Sequence, residues 1–174
     1  MTGNLRLEPR YDADRIAARV EELAFLLDRQ FASEPPALVS ILKGSSFLLA
    51  DLARKMSVPL SCEYISVSRQ ADPDEILRID FATEFPIASR PVVLLKDVVN
   101  SGVIETYLLT HLAAAGASAI TLVAIVDKVS ERKTELAVDF ALFSADRGRF
   151  AGYGMEAGGR WAHLPYIAEV YEEK

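Results

Sequence analysis

Apolar residues recur at helical spacing between Asp12 and Phe31, at Ile16, Val20, Leu23, Ala24 and Leu27, with charged residues between them. Such a stripe predicts an amphipathic helix, and Asp12 or Asp14 is placed to cap its first turn. Pro35-Pro36 closes the connection behind it. Ala37 to Leu42 predicts a short buried strand, Lys43-Gly44-Ser45-Ser46 a turn, and Phe47 to Met56 a helix. Leu60 to Ser68 alternates as a strand, whereas the polar stretch Arg69 to Glu75 has no period. Pro91 to Val99 is a strongly hydrophobic strand and runs into the small polar turn Asn100-Ser101-Gly102. Val103 to Ala115 follows as a helix closed by Gly116, and Ala119 to Val126 as another buried strand. Strand, turn, helix, strand in this order predicts an α/β fold with a mostly parallel sheet. From Asp139 onward the pattern shortens to brief strands and loops around Gly152-Tyr153-Gly154.

A length of 174 residues fits one domain, and 51% apolar residues argue against disorder. The net charge of −6 gives no basic footprint for nucleic acid, so none is expected as a partner. A small anion must then be held by helix ends and individual Lys or Arg residues. Cys62 is the single cysteine, which excludes an internal disulfide and a thiolate zinc site. Met1 to Arg15 lacks the apolar core of a signal peptide, and Leu112 to Val126 is too short to span a bilayer. No membrane partner is therefore expected, and the cytoplasm is the expected compartment. His111 and His163 have no cysteine or clustered carboxylate around them in sequence and are expected to be structural.

In an open α/β sheet, ligands bind beyond the carboxyl ends of the strands. Three turns fall there: Leu42-Lys43-Gly44, Lys96 to Gly102, and Asp127-Lys128. The second carries the most information, because an apolar strand delivers a carboxylate just before a polar turn that opens a helix. Backbone N–H groups at that helix start, with the Ser101 hydroxyl, would hold a phosphate. Read locally, Asn100-Ser101-Gly102 serves equally well as a plain helix cap, and Lys43 and Lys128 as solvated loop lysines.

Val92 to Gly102 resembles the phosphoribosyl-diphosphate motif of the type I phosphoribosyltransferases: four apolar residues, two acids, two apolar residues, then Asp, Ser or Thr, and Gly. More specifically, the chain resembles the hypoxanthine-guanine phosphoribosyltransferases. Ile41 to Phe47 is similar to their pyrophosphate loop, and Ala50-Asp51-Leu52 continues the likeness. Asp127-Lys128, Asp139-Phe140, Gly152 to Met155 and Leu164 to Ile167 follow in family order. The resemblance implies one domain over residues 1–174, with a central mostly parallel sheet flanked by helices and a small hood formed by the terminal segments. It implies transfer of phosphoribosyl from phosphoribosyl diphosphate to hypoxanthine or guanine, with pyrophosphate released and magnesium holding the leaving group. A homodimer or homotetramer is implied as well.

Carried over by position, Lys43 and Gly44 would contact pyrophosphate, and Asp97 would accept from the ribose hydroxyls beside Lys96. Asn100, Ser101, Gly102, Val103 and Ile104 would surround the 5′-phosphate. Lys128 would donate to the purine carbonyl oxygen, and Glu156, with Asp97, would hold the magnesium.

Several positions depart from the family pattern. Lys96 stands in place of the first of the two acids, and Asn100 in place of the Asp proposed as the base at purine N7. Asn takes up no proton, and lost general-base help costs about 10²–10⁴-fold in rate. Val103 and Ile104 replace residues that add polar contacts, and Glu105 brings a negative charge to the same loop. Arg149 occupies the place of the aromatic that stacks on the base, and Phe150 is one step out of phase. Ala162 occupies the place of a pyrophosphate-binding Arg, with Arg160 two residues earlier as a substitute. Arg69-Gln70 replaces a Ser-Tyr pair, and Glu156 is one methylene longer than the usual Asp. The chain therefore reads as a diverged purine phosphoribosyltransferase with weak or altered activity. The alternative is a non-catalytic nucleotide- or phosphate-binding protein on the same fold.

Overall fold

Residues 5–68, 78–82 and 86–173 are described by a computed structural model. Strands β2 (Ala37–Ile41), β3 (Ser61–Ser68), β4 (Arg78–Phe81), β5 (Pro91–Val99), β6 (Ala119–Asp127) and β7 (Phe140–Ser144) form one sheet in the order β4-β3-β2-β5-β6-β7. All neighbours are parallel except β4, which runs antiparallel to β3 at the edge. The near-continuous apolar runs of β2, β5 and β6 suit this arrangement, because a parallel sheet is covered on both faces.

Alternation along the strands builds two cores. Leu38, Val93, Leu95, Val123 and Ile125 face α1 (Ala13–Gln30) and α2 (Ser46–Lys55), while Val39, Val92, Leu94 and Leu122 face α3 (Val103–Ala114). The α1 stripe is buried as its spacing predicts. Asp12 is the residue that caps it, accepting from Arg15 N at 2.8 Å. Gly116 follows α3 with φ +89°, a left-handed conformation that suits glycine and turns the chain into β6.

The hood is a second, antiparallel sheet in the order β1-β9-β8, made of β1 (Leu5–Tyr11), β9 (Ile167–Glu172) and β8 (Phe150–Ala151). Strands β1 and β4 are absent from the sequence-based reading. The Leu5-Arg6-Leu7-Glu8 alternation is the signal for β1, but its partner lies at the other end of the chain. Arg69 to Glu75, including Arg69-Gln70, lies outside the described residues.

Candidate active site

At the carboxyl end of β2 the chain turns tightly through Lys43 and Gly44, and the Leu42–Lys43 peptide is cis. Buried Ser45 anchors this turn. Its hydroxyl donates to Leu95 O of β5 at 2.8 Å, with Ile41 O and Ser40 Oγ each at 2.9 Å. The turn is thereby fixed to the strand that carries Asp97. Gly44 lies so close to Asp97 that a Cβ there would stand 2.1 Å from Asp97 Oδ2. On its other side Gly154, at φ +91°, approaches until a Cβ would stand 2.4 Å from Gly44 O. Three segments far apart in sequence thus meet around one glycine peptide, and close backbone approach is what requires glycine there.

Asp97 is half-buried, and its Oδ1 accepts from Val98 N at 2.8 Å and from Lys96 Nζ. The Lys96 side chain is only 18% exposed, so this ion pair is sheltered from solvent. Glu105, in the first turn of α3, is 3% exposed and interacts electrostatically with Lys96, Asp97 and Arg132. Burial pushes its carboxyl above the ordinary value, Asp97 adds to the rise, and its own backbone N–H, Lys96 and Arg132 oppose it. Sequence comparison places both Lys96 and Glu105 at departures from the family pattern, and the structure couples them.

The turn after β5 has the form expected of an anion-binding helix start. Gly102 takes φ +80° and its carbonyl accepts from Thr106 N at 2.9 Å and Thr106 Oγ1 at 2.8 Å. Ser101 Oγ accepts from Val103 N at 3.4 Å. Asn100 and Val103 are exposed, while the Ile104 side chain packs on the α3-side core, so Ile104 offers a ligand only its backbone. The segment after β6 braces this turn. Lys133 N donates to Ser101 O at 2.9 Å, and a Cβ on Gly102 would meet Thr134 Oγ1 at 2.4 Å. Arg132, which sequence reasoning missed, runs under Gly102 and forms a buried ion pair with Asp127; its Nη1 has no partner within the described residues. Nothing local in the sequence announces that pairing.

Lys128 stands at the end of β6 with its side chain almost fully buried. Its ammonium donates to Gly148 O at 2.9 Å and to both Glu131 carboxylate oxygens at 3.1 Å. It is therefore neither a solvated loop lysine nor a free donor. To reach a purine carbonyl it must exchange one of these acceptors. Arg149 is exposed and pairs with Glu172 Oε1 at 3.0 Å. Phe150, the next residue on the strand, is turned into the core, so its ring is removed from base stacking. Arg160 lies on the exposed turn of the 157–160 hairpin, over the Trp161 ring at 4.8 Å.

The two carboxylates expected to hold magnesium each face an ammonium instead. Asp97 carries Lys96, and Glu156 Oε1 lies 3.8 Å from Lys43 Nζ. Among the described residues no group of three or more His, Cys, Asp or Glu is gathered for a metal. A divalent cation at Asp97 would have to displace the Lys96 ammonium and remain beside it, so the donor set as placed does not fit one.

A mostly parallel sheet between two helical layers, an antiparallel hood, and a helix-opening turn that ends the central strand define a protein of the type I phosphoribosyltransferase fold. A model of the phosphoribosyl transferase domain matches residues 11–157, and the chain belongs to that family. It is 26% identical over 166 residues to the hypoxanthine-guanine phosphoribosyltransferase of Bacillus subtilis (strain 168), a match spanning 91% of this chain and 92% of that protein. It is also 26% identical over 160 residues to the hypoxanthine phosphoribosyltransferase of Salmonella typhimurium, spanning 89% and 90%. A crystal structure of a hypoxanthine-guanine phosphoribosyltransferase from Bacillus anthracis superposes with a TM-score of 0.89 at 25% identity, covering 97% of this chain and 100% of that one.

Proposed function

We propose that this protein is a purine phosphoribosyltransferase of the hypoxanthine-guanine type, slowed by its own substitutions. The observation that carries this reading is the meeting of Gly44, Asp97 and Gly154 at the end of β5, the strand that runs on into the Ser101–Gly102 turn. A diphosphate loop and a carboxylate acceptor are thereby adjacent, and an anion-binding helix start follows them along the chain. In this reaction a purine ring nitrogen attacks C1 of the ribose, the C1–O bond to diphosphate breaks, pyrophosphate leaves with the bonding pair, and the proton carried by the purine's imidazole ring passes to water. The Lys43–Gly44 peptide and the Lys43 ammonium receive the departing oxygens. Asp97 accepts from the ribose hydroxyls, and the backbone N–H groups of residues 101–104 hold the 5′-phosphate. Asn100 faces the base from the exposed end of β5 and can hydrogen-bond it, but it cannot remove its proton. Lys128 and the planar Arg149 guanidinium are the groups offered to the purine, by donation and by stacking.

The particular base, assembly as a homodimer or homotetramer, and a cytoplasmic location belong to the same proposal. No helix among the described residues is long and apolar enough to cross a membrane. A second reading, a nucleotide- or phosphate-binding protein without catalysis, is favoured by one residue, Asn100. Purine-dependent release of pyrophosphate from phosphoribosyl diphosphate separates the two. The double variant Lys96→Glu plus Asn100→Asp should turn over hypoxanthine or guanine about 10²-fold faster than the parent when magnesium is supplied. No release by either folded protein supports the binding-only reading.

A further inference from the structure

We infer that the positive charge which neutralises a diphosphate in this site comes from the chain's own Lys96 and Lys43, so that the site takes diphosphate without a divalent cation. The inference rests on the phosphoribosyltransferase reading and concerns the same site. A lysine where the family pattern has an acid changes the local charge by two units, which is the charge of one divalent cation. Lys96 is held in place rather than trailing in solvent. It is mostly buried, its ammonium is fixed on Asp97 Oδ1, and the buried Glu105 carboxyl interacts with it electrostatically. The Gly44 peptide lies against the other oxygen of the same carboxylate. The ammonium therefore sits one carboxylate away from the turn that would receive the diphosphate.

Lys43 complements it from the solvent side. Its side chain is 79% exposed, and among the described residues it pairs with Glu156, at 3.8 Å. Exposed pairs of this length are weakly held, so a multiply charged anion readily takes the ammonium from Glu156. Bulk charge gives no alternative source, because the chain carries a net charge of −6. A cation bound at Asp97 would be repelled by the sheltered Lys96 ammonium. The fixed lysine and the metal are thus alternatives at one carboxylate, and the sequence has chosen the lysine.

The test is calorimetric titration of the full chain with inorganic pyrophosphate, once in EDTA and once in excess magnesium. Guanosine monophosphate, titrated in EDTA, reports on the nucleotide site independently. Pyrophosphate should bind with dissociation constants that agree within about threefold in the two buffers. Lys96→Met should weaken binding in EDTA by about tenfold or more, because it removes a fixed positive charge near the anion and leaves Asp97 unneutralised beside it. Lys96→Arg, which keeps the charge, should retain binding in EDTA and guards against a folding defect in the Met variant; thermal melts establish that each variant folds. Pyrophosphate binding only in magnesium, with guanosine monophosphate still bound, overturns the inference and leaves the proposed function standing. Failure of pyrophosphate in both buffers, together with failure of guanosine monophosphate in EDTA, overturns both. Wild-type affinity in Lys96→Met also overturns the inference, because the charge would then come from elsewhere.

Discussion

Asp97 is the residue on which most of the site's contacts converge. It receives the Lys96 ammonium and the Val98 N–H on one oxygen and presses the other against Gly44. Its charge is therefore set between a fixed lysine and the Lys43–Gly44 turn, the place proposed for the ribose hydroxyls. Asp97→Asn should weaken a phosphoribosyl ligand such as guanosine monophosphate by about 1–3 kcal/mol, the range for a charge-assisted hydrogen bond, as read by calorimetry. Unchanged affinity would remove the ribose role. Lys128 shows how burial redefines a residue that sequence places correctly. At the predicted strand end, its three N–H groups are all engaged by Gly148 and Glu131, so it orders the 145–149 segment before any base arrives.

Among the elements, the 152–164 hairpin acts as a clamp on the Lys43–Gly44 turn. Gly154 N donates to Ala162 O and Tyr153 N to Leu164 O, both at 2.9 Å, which closes the hairpin; the Tyr153 hydroxyl donates to Asp51 Oδ2 at 2.8 Å and ties it to α2. Gly154→Ala would place a methyl 2.4 Å from the Gly44 carbonyl in a left-handed conformation. The conformation alone costs about 1–2 kcal/mol, and the clash must in addition shift the Gly44 peptide. The variant should melt earlier and lose pyrophosphate affinity. Gly158→Ala is the control, since its φ is also positive, at +61°, but nothing lies within 4 Å. It should lose some stability and keep its pyrophosphate affinity, and equal loss of affinity in the two variants would refute the clamp.

For the whole molecule, the buried charges beneath the site couple folding to pH. Glu105 has its folded-state pKa raised above the ordinary 4.5, chiefly by burial. Between the ordinary and the raised values the folded state binds more proton than the unfolded state. Stability from this group is thus fully present below 4.5 and is lost as pH rises through the folded value. Glu105→Gln should remove that loss. Its melting temperature should exceed the parent's at pH 8, and the decline of stability above pH 4.5 should flatten in a series of thermal melts. A parent and variant with parallel pH profiles would show that Glu105 does not titrate as its burial implies.

The order of helices and strands was legible along the chain because it depends on local periodicity. The α1 stripe, the apolar runs of β5 and β6, the Asp12 cap and the Gly116 terminus each act through a few neighbouring residues. The turn from Asn100 to Gly102 and its place at a strand end were legible for the same reason. What tertiary structure decided are the pairings between distant segments: β1 with β9, Asp127 with Arg132 beneath Gly102, and Gly44 between Asp97 and Gly154. Sequence supplied the residue type at each of these positions but not its partner. A charge such as Lys96 or Glu105 takes its role from the groups around it once water has been excluded, and that environment exists only in the folded chain.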